Sequence, residues 1–318
     1  MTNYIIRRLL HAVLLILILS LVVFLVMRLL PGDPVLMLIT GDELSQTSEE
    51  RLDQLRHEFG LDRPLLLQYV TWFGKLFKGD FGTSIIHRDN VRHEIFRRIP
   101  ITLHLGLTAF IIGSFVGLML GIASAIRRGS WIDTFVTFLA NLGIAAPPFW
   151  LAALLIYLFG LHLKVLPVSG YTSPFTDFWM SLRQSLMPIL CLAVFPLASI
   201  ARQTRSSMLE VICQDYIRTA WAKGLREGLI IMRHAVKNAL IPVVTILGII
   251  LRYVVGGSVV VEIVFNIPGI GRLAVDSAVA QDYPVIQGII LLIAAIVVLI
   301  NLAVDLFYGW LDPRIRYE

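Results

Sequence analysis

Residues 9–30 read LLHAVLLILILSLVVFLVMRLL, an apolar run long enough to cross a lipid bilayer as one helix, which needs about 20 residues. The rest of the chain has the same character, since 57% of its 318 residues are hydrophobic and only 15% are charged. Soluble domains have about 45–50% apolar and about 25% charged residues. The sequence therefore predicts an all-α membrane protein. We expect its first helix to be an uncleaved signal anchor, because no small-residue cleavage site follows it.

Further apolar blocks follow along the chain, and together they predict six transmembrane helices. Pro188 and Pro196 interrupt the fourth block, and Pro147 and Pro148 predict a kink or a local break in the third. The predicted helices are 9–30, 101–126, 134–161, 186–205, 239–262 and 285–308.

The second predicted helix carries a ridge of small residues. Gly113, Gly117 and Gly121 recur at every fourth position, a spacing that lets a second helix approach closely. We interpret this ridge as a packing feature.

Lysine and arginine predict the orientation of the helices, because the cytoplasmic loops of membrane proteins are enriched in both. These residues concentrate at the amino terminus, in the turn at 127–128, in the segment 202–237 and in the carboxyl-terminal tail. The short loops on the other side carry only Lys164, Arg183 and Arg272. Both termini are therefore predicted to be cytoplasmic.

The segment 31–98 is then a long external loop after the first helix. Loops of this length cross the membrane regardless of charge, so its basic residues do not contradict the assignment. Two interpretations remain open: a solvated cap, or a docking surface for an external partner. The predicted organisation is an amino-terminal helix at 1–30, this loop, a transmembrane core at 99–308 and a cytoplasmic tail at 309–318.

Motifs for catalysis and metal binding are missing from the sequence. It has no G-x-x-x-x-G-K-[ST] loop, so the chain cannot hydrolyse ATP by the P-loop route. Its seven histidines are scattered, and Cys191 and Cys213 match no metal or redox spacing. The net charge of +5 comes from basic residues beside apolar blocks, which indicates membrane orientation and not nucleic-acid binding. We expect no catalytic residue, metal or cofactor on this chain.

Polar residues concentrate in one cytoplasmic loop, where residues 215–242 read DYIRTAWAKGLREGLIIMRHAVKNALIP. The pattern predicts a helix from Tyr216 to Lys223 and a left-handed stop at Gly224, where a Cβ would be strained. A second, basic amphipathic helix is predicted to follow to Asn238, parallel to the membrane. This arrangement would be a rigid lever for a cytosolic partner. By spacing alone, an ordinary basic interfacial loop fits equally well.

The loop resembles the EAA loop of binding-protein-dependent ABC importer permeases. Arg218, Thr219 and Ala220 stand at the Glu-Ala-Ala position and Gly224 at its glycine, within a coupling segment at about 212–240. DYIRTAWAKGL is similar to the dipeptide/oligopeptide/nickel permease family, in its B-type, first-permease branch. The resemblance covers the whole chain, through the motifs YIIRRLL (4–10), LPGDP (30–34), GDFGTS (79–84), PPFWL (147–151), LPVSG (166–170), RQTRSSMLEV (202–211), NIPGIGRLAVDSAVAQDYPVIQG (266–288) and VDLFYGWLDPRIRY (304–317).

The resemblance implies a type I ABC importer permease fold and a set of partners in the cytoplasmic membrane. A second permease subunit would complete a heterodimeric pathway, two ABC ATPase subunits would bind ATP and Mg²⁺, and an external substrate-binding protein would deliver substrate. The ATPase-coupling residues that it implies are Tyr216, Arg218, Thr219, Ala220, Lys223, Gly224 and Leu225.

Two positions depart from the family pattern. Arg218 replaces the acid of the general motif, a change associated with this subfamily. Trp221 stands where the subfamily usually has arginine, and the resemblance implies that one possible ion pair with a partner is thereby removed.

Arg252 is a candidate pathway residue near the middle of the predicted fifth helix. A charge there is costly and faces protein or a water-filled cavity. Gly248 and Gly256 flank it at four residues on either side, which would leave an open lane suited to a peptide carboxylate. The alternatives are a structural ion pair with the partner permease and snorkelling to the external interface.

Short peptides are the substrate class that the resemblance implies first, with nickel chelates or glutathione as alternatives. Two functions of other classes remain open, an ATP-independent carrier and a membrane scaffold. Transport with and without ATP tests the first of these, and co-purification of ATPase subunits tests the second.

Overall fold

The computed structural model describes residues 2–29, 54, 57, 62–252, 256 and 258–311. The LPGDP motif, most of the first half of the predicted external loop and residues 312–318 of the predicted tail lie outside the described residues. The described chain is mostly helical. Its helices are α1 (Thr2–Leu29), α2 (Leu65–Phe77), α3 (Val91–Ile126), α4 (Trp131–Ala145), α5 (Pro148–His162), α6 (Phe178–Ile212), α7 (Asp215–Ala222), α8 (Glu227–Leu251), α9 (Val259–Val264), α10 (Ile270–Val279) and α11 (Tyr283–Leu311).

Five of these helices, α1, α3, α6, α8 and α11, are long and apolar enough to cross a membrane. The pair α4 and α5 supplies a sixth span when it is counted as one broken span. The predicted all-α membrane fold is therefore confirmed, and the chain is a multi-pass membrane protein.

The third predicted helix is broken at its two prolines, as the sequence indicated. α4 ends at Ala145, and α5 begins at Pro148 after a bend of 108°. Pro147 is the N-cap of α5 with an extended backbone, and Pro148 occupies the first helical position. A proline is tolerated there because the first backbone N–H groups of a helix have no intrahelical partner.

Several predicted boundaries are wrong. The first and second helices were predicted at 9–30 and 101–126, whereas α1 begins at Thr2 and α3 at Val91. The fourth predicted helix, 186–205, is the middle of α6, which contains Pro188 and Pro196 without ending at either. The fifth was predicted at 239–262, whereas α8 begins at Glu227 and ends at Leu251. Apolar runs mark only the lipid-facing part of a helix, so polar turns that extend a helix beyond the bilayer are missed.

The chain divides into two compact units, residues 1–100 with 272–318 and residues 101–271. In the second unit, α6 packs against α3, α4, α5 and α8. The glycine ridge of α3 lies directly on α6. A Cβ at Gly117 would stand 2.5 Å from the carbonyl oxygen of Leu197, and one at Gly121 would stand 2.6 Å from Cβ of Thr204. The packing role predicted for this ridge is therefore confirmed.

A buried carboxylate organises the NIPGIG motif of the same unit. Glu262 in α9 is fully buried, and its Oε1 accepts hydrogen bonds from the hydroxyls of Thr102 (2.7 Å) and Ser258 (2.9 Å). The Thr102 oxygen also accepts from the backbone N–H of Ile270 at 2.9 Å. A Cβ at Gly269 would stand 2.3 Å from Cδ of Glu262, so the motif needs glycine where its backbone passes the carboxylate.

A second buried carboxylate organises the first unit. Asp282 accepts a hydrogen bond from the hydroxyl of Ser84 at 2.5 Å and from the backbone N–H groups of Ile85 and Ile86 at 3.2 and 3.3 Å. These contacts join the GDFGTS motif to the DYP sequence almost 200 residues later. Two of the family motifs therefore form one structural element.

Candidate functional site

The predicted coupling loop lies between α6 and α8, and its helix α7 has two different faces. Ile217 and Ala220 point inward and are 1% and 9% exposed. They pack in a cluster formed by the ends of α3 and α6 and the start of α8, with Ala125, Met208, Ile230, Ala235 and Ala239. The outward face is exposed and carries Tyr216, Arg218, Thr219, Trp221 and Lys223.

Ala220, one of the predicted coupling residues, is buried against the chain's own helices. Its side chain therefore positions α7, and the accessible surface of this helix consists of the exposed residues. A role of Ala220 in ATPase coupling stays a prediction.

The turn after α7 closes as a Schellman motif. The N–H of Gly224 donates to the carbonyl oxygen of Trp221 at 2.9 Å, and that of Leu225 donates to Ala220 at 3.4 Å. Gly224 has a φ of +75°, and a Cβ there would meet nothing within 4 Å. Its glycine is required by the backbone conformation, as predicted, and not by lack of space.

The helix after this turn differs from the prediction. A separate amphipathic helix ending at Asn238 was expected to lie parallel to the membrane, but α8 runs from Glu227 to Leu251 and is long and apolar enough to be one membrane span. Its segment Ile230–Val236 is wound as a π-helix. The predicted coupling loop is therefore joined to the candidate span α8 by a short turn, because α7 ends at Ala222 and α8 begins at Glu227.

Two side-chain contacts hold the outward residues of α7. The amide of Asn238 in α8 donates to the hydroxyl of Tyr216 at 2.9 Å, which ties the two helices together. Arg218 and Asp215 are 3.4 Å apart, but both side chains are exposed. An ion pair between two exposed side chains contributes little stability.

An ion pair that sequence reasoning missed holds α6 just before the loop. The guanidinium of Arg205 donates two hydrogen bonds to the carboxylate of Asp133, with distances of 2.6 and 2.9 Å. The same carboxylate accepts from Ser124 at 2.6 Å and from the N–H of Gly129 at 3.0 Å. The sequence offered one local indication for Asp133, namely Ser130 three residues before it, which is an N-cap pattern. Ser130 is the N-cap of α4.

The candidate pathway residues do not share one environment. Arg252 is exposed and is the C-cap of α8, directly after Leu251. Gly248 is buried, whereas Gly256 is exposed, and a Cβ added to Gly256 would meet nothing within 4 Å. The structure therefore does not place Gly248 on an open lane with Arg252. A pathway role for Arg252 stays a prediction.

These features define a class of protein: a polytopic membrane permease with one short helix, packed on the chain's own core and exposed on its other face, between two transmembrane segments. Residues 117–317 match the model of the binding-protein-dependent transport system inner membrane component, and residues 1–106 match the model of its N-terminal part. The chain belongs to this family.

Curated relatives match along the whole chain. A putative peptide transport system permease protein of Brucella abortus strain 2308 is 44% identical over 319 residues, which cover 100% of both chains. The glutathione transport system permease protein GsiC of Salmonella paratyphi A is 42% identical over 318 residues, also 100% of both. The resemblance inferred from the motifs is confirmed at the level of the family.

A solved structure shows the same fold. The MetNI methionine ABC transporter matches with a TM-score of 0.55 and 20% identity, over 69% of this chain and 96% of that chain. At this identity the similarity concerns the fold alone. It confirms the predicted permease fold of ABC importers.

Proposed function

We propose that this chain is a permease subunit that carries short peptides across the cytoplasmic membrane, driven by ATPase subunits that bind the outward face of α7. The family description supports dependence on a substrate-binding protein. The names of the full-length relatives support a peptide or a peptide-like substrate such as glutathione. A second permease subunit would complete the pathway, and both termini would be cytoplasmic.

The observation that carries the proposal is the division of α7 into two faces. The inward face of α7 packs against the chain's own helices. Its outward face is exposed, aromatic and basic, and it carries Tyr216, Trp221, Arg218 and Lys223. Aromatic residues and arginine are enriched at the centres of protein interfaces. An exposed surface of this composition is more typical of a binding site for another protein than of a loop that contacts only solvent.

The packing around α7 supports the way in which force would be transmitted. α7 is held by the buried cluster, by the Tyr216–Asn238 hydrogen bond to α8 and by α6, which the Asp133–Arg205 pair fixes to the start of α4. A displacement of α7 would therefore move the ends of α6 and α8 with it. ATP-driven closure of the ATPases would bias the permease between two arrangements by rigid-body motion.

A reconstitution experiment tests this proposal. The chain is purified from membranes together with the proteins that remain bound to it, placed in liposomes and supplied with binding protein and a labelled short peptide. We expect uptake with ATP and none with a non-hydrolysable analogue. Uptake that is independent of ATP, or a complex without ATPase subunits, would contradict the proposal.

A matched pair of charge reversals locates the ATPase contact. Arg218→Glu is expected to reduce both ATPase co-purification and uptake, because it places an acid on the outward face of α7. Arg128→Glu reverses another exposed arginine, in the turn after α3, and is expected to leave both unchanged. Equal behaviour of the two variants would remove the outward face of α7 from the mechanism.

A further inference from the structure

The helix α2 belongs to the segment for which the sequence allowed either a solvated cap or a docking surface. We infer that it is neither, and that α2 lies in the membrane at the boundary between the acyl chains and the headgroups, with one apolar face in contact with lipid. This inference depends on the first unit alone and does not rest on the proposed function.

The position of α2 is determined by its contacts with α1. The hydroxyl of Tyr69 lies 2.8 Å from the hydroxyl of Ser20, within hydrogen-bonding distance. The rings of Tyr69 and Trp72 pack on the ring of Phe24, with centroids 5.5 and 5.6 Å apart. Phe24 is 1% exposed, so its ring is buried in the contact between α1 and α2.

The depth of that contact follows from the sequence of α1. Between Arg8 and Arg28 the helix carries no charged residue, and this interval has a length of about 30 Å at the α-helical rise. A length of about 30 Å is also the thickness of the hydrocarbon core of a bilayer. Measured from Arg28 along the axis, Phe24 lies about 6 Å and Ser20 about 12 Å inside that interval. The contact between α2 and α1 therefore lies within the hydrocarbon core of the bilayer, near the end marked by Arg28.

The exposed surface of α2 has an apolar side and a polar side, as expected of a helix that lies at the membrane interface. Its apolar stripe consists of Leu66, Val70 and Phe77, which are 74%, 58% and 78% exposed and share one face at helical spacing. Thr71 and Lys75 lie on the opposite side of the helix and are also exposed. The face that contacts α1 lies beside the apolar stripe.

Lipid is the occupant that fits this stripe. The apolar surface continues onto α1, whose Leu21, Val22, Leu25 and Val26 are exposed at the same level. The 13 residues of α2 are too few to cross a bilayer but typical of an interfacial helix. Tyr69 and Trp72 are residues that concentrate at membrane interfaces, and the long stem of Lys75 lets its charge reach water.

Spin labels on the two faces of α2 test the inference. Single cysteines replace Leu66, Val70 and Phe77 on the apolar stripe, with Thr71 and Lys75 as matched controls on the same helix. The background is Cys213→Ser, because Cys213 is exposed whereas Cys191 is buried. The full chain with its bound partners is reconstituted in vesicles of phosphatidylethanolamine and phosphatidylglycerol. Collision rates of each label with oxygen and with a water-soluble nickel complex are then measured.

Oxygen concentrates in the acyl chains and the nickel complex in water, so the ratio of the two rates reports the surroundings of each label. We expect this ratio to be several-fold higher at all three positions of the apolar stripe than at Thr71 and Lys75. Frequent nickel collisions at every position would mean a solvated cap and overturn the inference. Protection of the stripe from both reagents would mean that a protein covers it, which would also overturn it. None of the five positions is buried, and three independent labels report on the stripe if one variant fails to assemble.

Discussion

Replacing Gly224 by alanine perturbs the proposed coupling loop at one defined place. The residue has a φ of +75°, and an added Cβ meets nothing within 4 Å, so the substitution introduces strain without a steric clash. The left-handed conformation costs an L-residue roughly 1–2 kcal/mol. An energy of that size changes the ratio of closed to open turn by a factor of about 5–30. A β-branched residue is expected to cost more, and asparagine less, because asparagine tolerates this conformation.

Gly228 provides the matched control. It is also exposed, a Cβ there also meets nothing within 4 Å, and its φ is outside the left-handed region. Alanine at Gly228 is therefore expected to be neutral or slightly stabilising, since it lies in a helix. The two alanine variants therefore compare a left-handed with a helical backbone position, and neither position crowds the added Cβ.

The assay is peptide uptake per ATP hydrolysed in reconstituted complexes, together with the yield of assembled complex. We expect normal assembly for all variants. Uptake per ATP hydrolysed is expected to fall least in Gly224→Asn, more in Gly224→Ala and most in Gly224→Val, and to stay unchanged in Gly228→Ala. Wild-type uptake and wild-type substrate-stimulated hydrolysis in Gly224→Val would refute the reasoning. Equal losses in the two alanine variants would also refute it, because the effect would then not depend on φ.

Four further predictions concern other parts of the chain. Ala220→Lys is expected to expose the loop to proteolysis and reduce uptake, because the side chain of Ala220 is buried between α7 and the neighbouring helices, whereas Ala222→Lys on the exposed side of α7 should leave proteolysis unchanged. Asp133→Asn should destabilise the purified complex by about 1–3 kcal/mol in thermal unfolding, since it removes the charged partner of a mostly buried arginine contact; Asp215→Asn, in an exposed pair, should not. Arg252→Gln should impair uptake of carboxylate-bearing substrates in an assembled complex if the arginine lines the pathway, while loss of assembly would indicate a structural pairing and normal uptake would exclude it from the mechanism. Reporter fusions should be external at residue 60 and near 170 and cytoplasmic at 128, 225 and 318, and a cytoplasmic signal at residue 60 would overturn the orientation.

The sequence alone determined the membrane class and most of the spans. Crossing a bilayer requires a run of apolar residues, and such a run is visible without any knowledge of neighbours, as in residues 9–30. The same is true of local backbone devices. The break at Pro147 and Pro148 and the left-handed stop at Gly224 follow from the covalent structure of proline and glycine, and both are present.

Only the tertiary structure decided which side chains meet. Glu262 and Thr102 are 160 residues apart and Asp282 and Ser84 are 198 apart, and no local pattern connects either pair. Spacing predicted that α7 is a helix, but not that Ala220 faces the chain itself. The direction of a helical face depends on which apolar surfaces are available around it, and those are assembled only when distant segments pack together.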